Sequence, residues 1–341
     1  MAKKRASITD LAQQLNIAVS TVSRALNGHA SISEATKRRV LSKAKELGYQ
    51  PNHLAAGLRK GRSKLLGLVV PHIDGNFFSQ VVKGIEAAAS QAGYHVLICQ
   101  SNEDMAHERE NLETLMNAQV EGIMVSIART TREFRHFEKV SKRDIPLVFF
   151  DRTLEGHEVS AVVLDDRAGG YRSTRHLLEQ GCQRIAHFAG PQHLNIYKYR
   201  RMGYEDALRE RGLPVREELI FNCDMTMQDG VIGMQHLLSL PEPPDAVFSA
   251  SDFSLAGALQ VLKEQQMQVP QDLALAGFSN EAFTCLTEPK LTSIDQHCEL
   301  MGKTATRLLL EIMAEQPQKF LPRHIVLQPE LFVRASSLRH P

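Results

Sequence analysis

The sequence predicts an all-α helix-turn-helix head joined to an α/β core of two lobes, and three observations carry that reading. Apolar residues recur with helical spacing at Ile8, Leu11, Ala12 and Leu15 and again, after a break at Asn16-Ile17-Ala18, at Val19, Val22, Ala25 and Leu26. Charge divides the chain: residues 1–64 hold 13 Lys or Arg against 3 Asp or Glu, and the remaining 277 residues hold 27 against 36. From Leu65 onward, short apolar runs alternate with amphipathic stretches, the pattern of parallel strands covered by helices on both faces.

Taken in order, Ser7-Ile8-Thr9-Asp10 has the form of a capping box and starts the first helix. The turn at 16–18 is short enough to swing a second helix sharply, as in a helix-turn-helix that presents it to the DNA major groove. Ser20, Thr21, Ser23, Arg24 and Asn27 on that helix carry groups suited to phosphates and base edges, whereas an ordinary helical hairpin with a solvated face has the same spacing. The basic charge of this region favours nucleic acid. A third helix is expected from Ser33-Glu34 to about Leu47, capped by Gly48 and packing through Val40, Leu41, Ala44 and Leu47. Residues 51–63 then read as a linker with weak helical character.

In the core, strands are expected near 65–70, 96–99, 122–127 and 146–150, with helices near 77–92, 105–118 and 131–141. The pattern restarts with strands near 161–164, 184–189, 219–222, 246–249 and 273–277 and helices near 167–180, 200–212, 229–239 and 253–266. A strand at 291–294, a helix near 299–315 and a strand at 323–327 end the core. The expected boundaries are therefore 1–50 for the head, 51–63 for the linker and 64–341 for the core. One lobe takes about 64–162 with 295–322, the other about 163–292 with 323–334.

Composition excludes several classes. No apolar run approaches the roughly 20 residues that span a bilayer, and Met1-Ala2-Lys3-Lys4-Arg5 leads into polar residues, so a cytoplasmic, non-membrane protein is expected. The five cysteines are scattered singly, and His107-Glu108-Arg109-Glu110 lacks a second histidine at Asn111, so neither a disulfide framework nor a metal site is expected. Phosphate-binding and nucleophile-elbow motifs are absent. Asp165-Asp166 is the nearest approach to an acidic pair, but strand-end neighbours point to opposite faces, so no enzymatic activity and no cofactor are expected.

Ligands of open α/β sheets sit beyond the carboxyl ends of strands. Residues there include His72, Asp74, Asn76, Phe77 and Phe78, then Asp151 and Arg152, Ser251 and Asp252, and Ser279-Asn280-Glu281. Their carboxylates, hydroxyls, amides and rings suit a small polar ligand.

The chain resembles the LacI/GalR family of bacterial transcriptional regulators over nearly its whole length. Residues carrying the resemblance include Ile8-Thr9-Asp10-Leu11-Ala12, Val19 to Asn27, Glu46-Leu47-Gly48-Tyr49-Gln50-Pro51-Asn52, Gly67 to Pro71, Phe150-Asp151-Arg152, Phe188 to Pro191, Arg200 to Gly203, Ser251-Asp252 and Gly277 to Asn280. The resemblance implies a homodimer whose core has two Rossmann-like lobes like a periplasmic sugar-binding protein. It implies a repressor of a pseudo-palindromic double-stranded operator, nucleoid-associated and cytoplasmic, with a small effector between the lobes; an activator or a regulator answering to a protein co-effector is the alternative.

Carried over by position, Val19 and Ser20 match the base-reading pair, and Ser7, Thr21, Ser23, Arg24 and Asn27 match backbone or supporting contacts. Asn52, His53, Ala55 and Leu58 fall on a hinge helix, with Leu58 as the minor-groove wedge. Effector contacts fall on His72, Phe77, Phe78, Asp151, Arg200, Met225, Ser251, Asp252 and Ser279. Two positions depart from the pattern: Ser279 stands where many sugar-responsive members have an aspartate, and Met225 where a ring often stacks. If Arg152, Lys198, Arg200 and Arg201 all line the cleft, the neutral Ser279 leaves a cationic excess and an anionic sugar derivative is expected. After Arg334 only seven residues remain, without the heptads of a tetramerising coiled coil.

Overall fold

The computed structural model describes residues 6–49, 63–315 and 321–339. The chain divides into two units, Met1–Ser63 and Lys64–Pro341.

Among the described residues of the first unit, three helices surround a small core: α1 (Ile8–Leu15), α2 (Val19–Leu26) and α3 (Glu34–Glu46). The Ser7 hydroxyl accepts from the Asp10 amide at 3.1 Å while the Asp10 carboxylate accepts from the Ser7 amide at 2.7 Å, a complete capping box. Asn16 ends α1 in the left-handed conformation, and Arg39 of α3 donates to the Leu15 carbonyl at 2.9 Å, which fixes the turn against the third helix. Leu11, Leu15, Val22, Ala25, Val40 and Ala44 are buried. Leu41, expected among them, is 54% exposed. At 100° per residue it falls on the flank of the stripe made by Val40, Ala44 and Leu47.

The second unit contains two six-stranded sheets. The first is built in the chain order β1 (Leu65–Val70), α4 (Asn76–Gln91), β2 (His95–Gln100), α5 (Met105–Asn117), β3 (Gly122–Val125), α6 (Arg135–Ser141), β4 (Leu147–Phe150) and β5 (Ser160–Leu164). The chain then crosses to α7 (Asp166–Glu179), β6 (Ile185–Ala189), α8 (Asn195–Glu210), β7 (Ile220–Asn222), α9 (Met227–Leu238), β8 (Ala246–Ser249), α10 (Asp252–Glu264), β9 (Ala274–Phe278) and β10 (Thr292–Asp295). It returns through α11 (Cys298–Ala314) and β11 (His324–Leu327) and crosses once more to β12 (Glu330–Phe332). The spatial orders are β11-β5-β4-β3-β1-β2 and β12-β10-β9-β8-β6-β7, parallel throughout except for β12. Central strands such as β3 and β4 read as continuous apolar runs because helices cover both faces.

Several boundaries differ from expectation: the helix expected near 131–141 begins at Arg135 and the strand expected at 122–127 ends at Val125, and two further differences bear on the lobes and the site. The segment 323–334 divides: His324–Leu327 pairs with Ser160–Leu164 in the first sheet, and only Glu330–Phe332 joins the second. Ile325-Val326 is equally suited to either sheet edge, so the local pattern does not select one. Helix α8 begins at Asn195 rather than near 200, because Ile196, Tyr197 and Arg200 form a buried face on its opening turns.

The helices that follow the crossings are exchanged between lobes. After β5 of the first sheet, α7 packs on α8 and the second sheet; after β10 of the second sheet, α11 packs on α4 and the first. Both pairs meet through reciprocal glycines: a Cβ on Gly170 would overlap the Arg200 carbonyl and one on Gly203 the Arg167 carbonyl, while Gly84 and Gly302 stand in the same relation to Glu299 and Val81. The approach of α7 to α8 brings the start of one helix against Arg200 on the other.

Candidate effector cleft

The carboxyl ends of both sheets line a cleft of about 620 Å³, within the range of small-molecule sites. Several of its residues leave their strands with left-handed backbone: Asp151 (φ 59°), Met225 (φ 67°) and Ser279 (φ 114°). Such conformations cost about 1–3 kcal/mol each and collect at functional sites.

On the first-lobe wall, Phe77 and Phe78 stand edge to face at 4.9 Å on the opening turn of α4, and the His72 ring lies 5.2 Å from Phe78. Asp151, directly after β4, is 4% exposed and accepts from the Ser126 hydroxyl at 3.2 Å; burial pushes its carboxyl up, against the pull of Arg152 and Arg200. Arg152 donates to both Glu103 oxygens, at 2.8 and 3.0 Å. Burial raises the Glu103 carboxyl, but the Arg152 guanidinium and the Arg129 amide outweigh it and hold Glu103 below the usual range. The Arg152 Nε is buried without a hydrogen-bond acceptor and lies 3.8 Å from the Asp151 carboxylate.

On the second-lobe wall, Arg200 is the hub. It donates to Asp166 at 2.8 Å, to the Ala250 carbonyl at 2.9 Å and to Gln296 at 3.2 Å, and its guanidinium lies 3.7 Å from the Phe278 ring centroid. Burial pushes the Asp166 carboxyl up to about 7 against the opposing Arg200 charge. Asp165 instead caps α7, accepting from Ala168 at 2.9 Å, so the two adjacent aspartates do have separate fates. Gln296 also donates to the Ser279 hydroxyl at 3.0 Å, and the Ser251 hydroxyl caps α10 by accepting from Phe253 at 3.3 Å.

His72, Phe77, Phe78, Asp151, Arg200, Met225, Ser251 and Ser279 all line this cleft, and Asp252 does not. As the first residue of α10, Asp252 turns inward, is fully buried, and accepts from the Ser293 hydroxyl at 2.8 Å and the Glu281 amide at 2.9 Å. Burial pushes it up to about 7. The condition for a cationic excess is not met: Lys198 pairs with Glu155 at 2.6 Å and Arg201 with Glu205 and Glu217 at 2.9 Å, both away from the cleft on the other faces of α8. Five lining carboxylates (Asp74, Glu103, Asp151, Asp224, Glu281) face three guanidiniums (Arg129, Arg152, Arg200).

Sequence reasoning passed over Glu103, Arg129, Tyr197, Asp224 and Gln296, which also line the cleft. Glu103 and Gln296 follow β2 and β10, so the same strand-end rule finds them once applied to every strand. Tyr197 required the true start of α8.

In the first unit, Val19 is 38% exposed and Ser20, Arg24 and Asn27 are exposed, whereas Thr21 and Ser23 are half-buried. The Ser7 hydroxyl is engaged by Asp10, and the Asn27 amide donates to the Ser23 carbonyl at 2.8 Å. Asn52, His53, Ala55 and Leu58 lie outside the described residues.

The family model for bacterial regulatory proteins of the lacI family matches residues 7–52, and that for periplasmic binding proteins and the sugar binding domain of the LacI family matches residues 63–328. The chain belongs to the LacI family. It is a transcriptional regulator and not an enzyme. The transcriptional repressor CytR of Escherichia coli (strain K12) is 33% identical, over 98% of this chain and 97% of its own. The regulator RegA of Clostridium saccharobutylicum is 31% identical over 97% and 99%. Among solved structures, a complex of the regulator CelR with cellobiose is 31% identical with a TM-score of 0.74, covering 97% of this chain and 100% of that one. The Lac repressor dimer bound to operator and the anti-inducer ONPF has a TM-score of 0.86 over 98% and 100%, and at 23% identity it speaks for the fold. Among the described residues no helix is long and apolar enough to cross a membrane.

Proposed function

We propose that this LacI-family protein is a cytoplasmic repressor, acting as a homodimer on a pseudo-palindromic operator and controlled by a neutral, hydroxyl-rich ring compound bound between the lobes of 64–341. Val19 and Ser20 read base edges, Ser7, Thr21, Ser23, Arg24 and Asn27 support them, and the segment 51–63, with Asn52, His53, Ala55 and Leu58, acts as the hinge, Leu58 serving as the minor-groove wedge. Phe77, Phe78, Met225 and Tyr197 supply apolar walls for the ring, and Asp151, Arg152, Arg200, Ser279 and Gln296 supply hydrogen bonds. The observation that carries the ligand class is the charge of the cleft: the guanidiniums of Arg152 and Arg200 are already answered by Glu103 and Asp166. An added anion would find no unpaired guanidinium to receive it, whereas a neutral ligand requires none. The relative solved with cellobiose is a precedent for a neutral saccharide in this fold.

A thermal-shift panel of neutral sugars, nucleosides, sugar acids and sugar phosphates tests the ligand class. A neutral compound is expected to raise Tm; stabilisation by an acid or phosphate in preference to its neutral parent overturns it. Selection of bound duplexes from a random pool is expected to return inverted repeats, with affinity shifted by that compound. Leu58→Ala is expected to weaken operator binding in mobility-shift titrations and leave ligand binding unchanged.

A further inference from the structure

The loop after β3 holds more buried polar structure than closing a turn requires. The Ala128 amide donates to Glu108 at 2.6 Å, the Thr131 hydroxyl donates to the other Glu108 oxygen at 2.8 Å, and the His136 ring lies 2.7 Å from that same oxygen. Glu108 is fully buried and His136 is 4% exposed. The Arg129 amide donates to Glu103 at 2.7 Å, and the Thr130 hydroxyl accepts from the Met105 amide at 2.8 Å. Four consecutive residues are thus fixed to the start of α5.

What this scaffold presents is Arg129, which reaches the second lobe twice. Its guanidinium lies 3.2 Å from the Asp224 carboxylate beyond β7, and its carbonyl lies 2.7 Å from the His193 Nε2 beyond β6, where a carbonyl can only accept. The two partners stand on different loops, so both bonds survive only while the lobes keep this separation. Neither bond involves a ligand.

We propose that Arg129 is a lobe clasp, held in reach by Glu103 and the Glu108–His136 pair, which stabilises this arrangement of the lobes before an effector enters. The inference rests on the reading that the lobes open and close about an effector, and it adds a device that sets their resting balance. Because the Arg129 and Asp224 side chains are 34% and 60% exposed, the ion pair is a modest contribution, and the clasp biases the equilibrium without locking it.

The test uses the full chain without ligand or DNA, so its failure leaves the effector reading untouched. Small-angle scattering and hydrogen exchange are compared for the parent, Arg129→Ala, Arg129→Lys, Asp224→Asn and Glu108→Gln. Arg129→Ala and Asp224→Asn are expected to enlarge the radius of gyration and to speed exchange in 193–197 and 225–227 by about two- to fivefold, with most of the loss recovered in Arg129→Lys. Glu108→Gln is expected to do the same in 193–197, but to add nothing there when combined with Arg129→Ala. Parent-like scattering and exchange in both Arg129→Ala and Asp224→Asn overturns the proposal, as does faster exchange spread evenly over the whole chain.

Discussion

The two lobes share one strand order but treat their cleft-facing arginine differently. Arg152 in the first lobe is paired with Glu103, whose side chain remains 20% exposed, and it keeps a buried Nε without an acceptor. Arg200 in the second is 3% exposed, donates to three acceptors and faces an Asp166 side chain that is 1% exposed. One guanidinium keeps a donor without a hydrogen bond, and the other belongs to the framework while still lining the cleft. Residue type and position after a strand do not by themselves separate these roles; the number of bonds already made does.

Removing each arginine is the strongest challenge to that contrast. Arg200→Met strands Asp166 in a dry site and is expected to cost about 3–5 kcal/mol in denaturant unfolding, with part of the loss restored by adding Asp166→Asn. Arg152→Met leaves Glu103 with access to water and is expected to cost about half as much. Equal losses would erase the distinction.

The glycine contacts give the next effect. Gly170→Ala forces a methyl against the Arg200 carbonyl and is expected to lower stability by about 2–3 kcal/mol, and Gly84→Ala should do the same at the first-lobe pair. The difference lies in the cleft. Only the second-lobe substitution moves Arg200, so only Gly170→Ala is expected to weaken binding of whatever compound the thermal-shift panel identifies, read by calorimetry.

Acid titration supplies the smallest and the most directional contrast. Asp252 is raised to about 7, so its contribution is present at low pH and is lost as pH rises from about 4 through 7. Glu103 is lowered, so its contribution is present above the ordinary carboxylate range and is lost as pH falls through its folded value. Asp252→Asn and Glu103→Gln should therefore tilt the profile of unfolding free energy against pH in opposite senses.

Most of this fold was legible because parallel strands buried on both faces read as unbroken apolar runs and the helices between them keep a helical period. Pairing was less legible. Ile325-Val326 has no local feature that assigns it to β5, and Leu41 differs from Val40 only in helix phase. The site was legible to the extent that strand ends mark it, which located His72, Asp151, Ser251 and Ser279. It was illegible where one residue of rotation decides: Ser251 faces the cleft and Asp252 faces the sheet, and Arg200 faces inward while Lys198 and Arg201 find carboxylates outside. The network around Glu108 had no local signal in sequence, because its partners Ala128, Thr131 and His136 lie 20 to 28 residues further along the chain.

The exchange of α7 and α11 between the lobes has a consequence for how the chain must be made. During synthesis, the first lobe has all its inner strands by Leu164 but lacks the helix and outer strand that arrive with Cys298–Ala314 and His324–Leu327. Until then β5, apolar along nearly its whole length, is an open edge able to pair with another chain. A truncation before His324 would make that interval permanent, so loss of a short C-terminal segment should appear as aggregation from the first lobe.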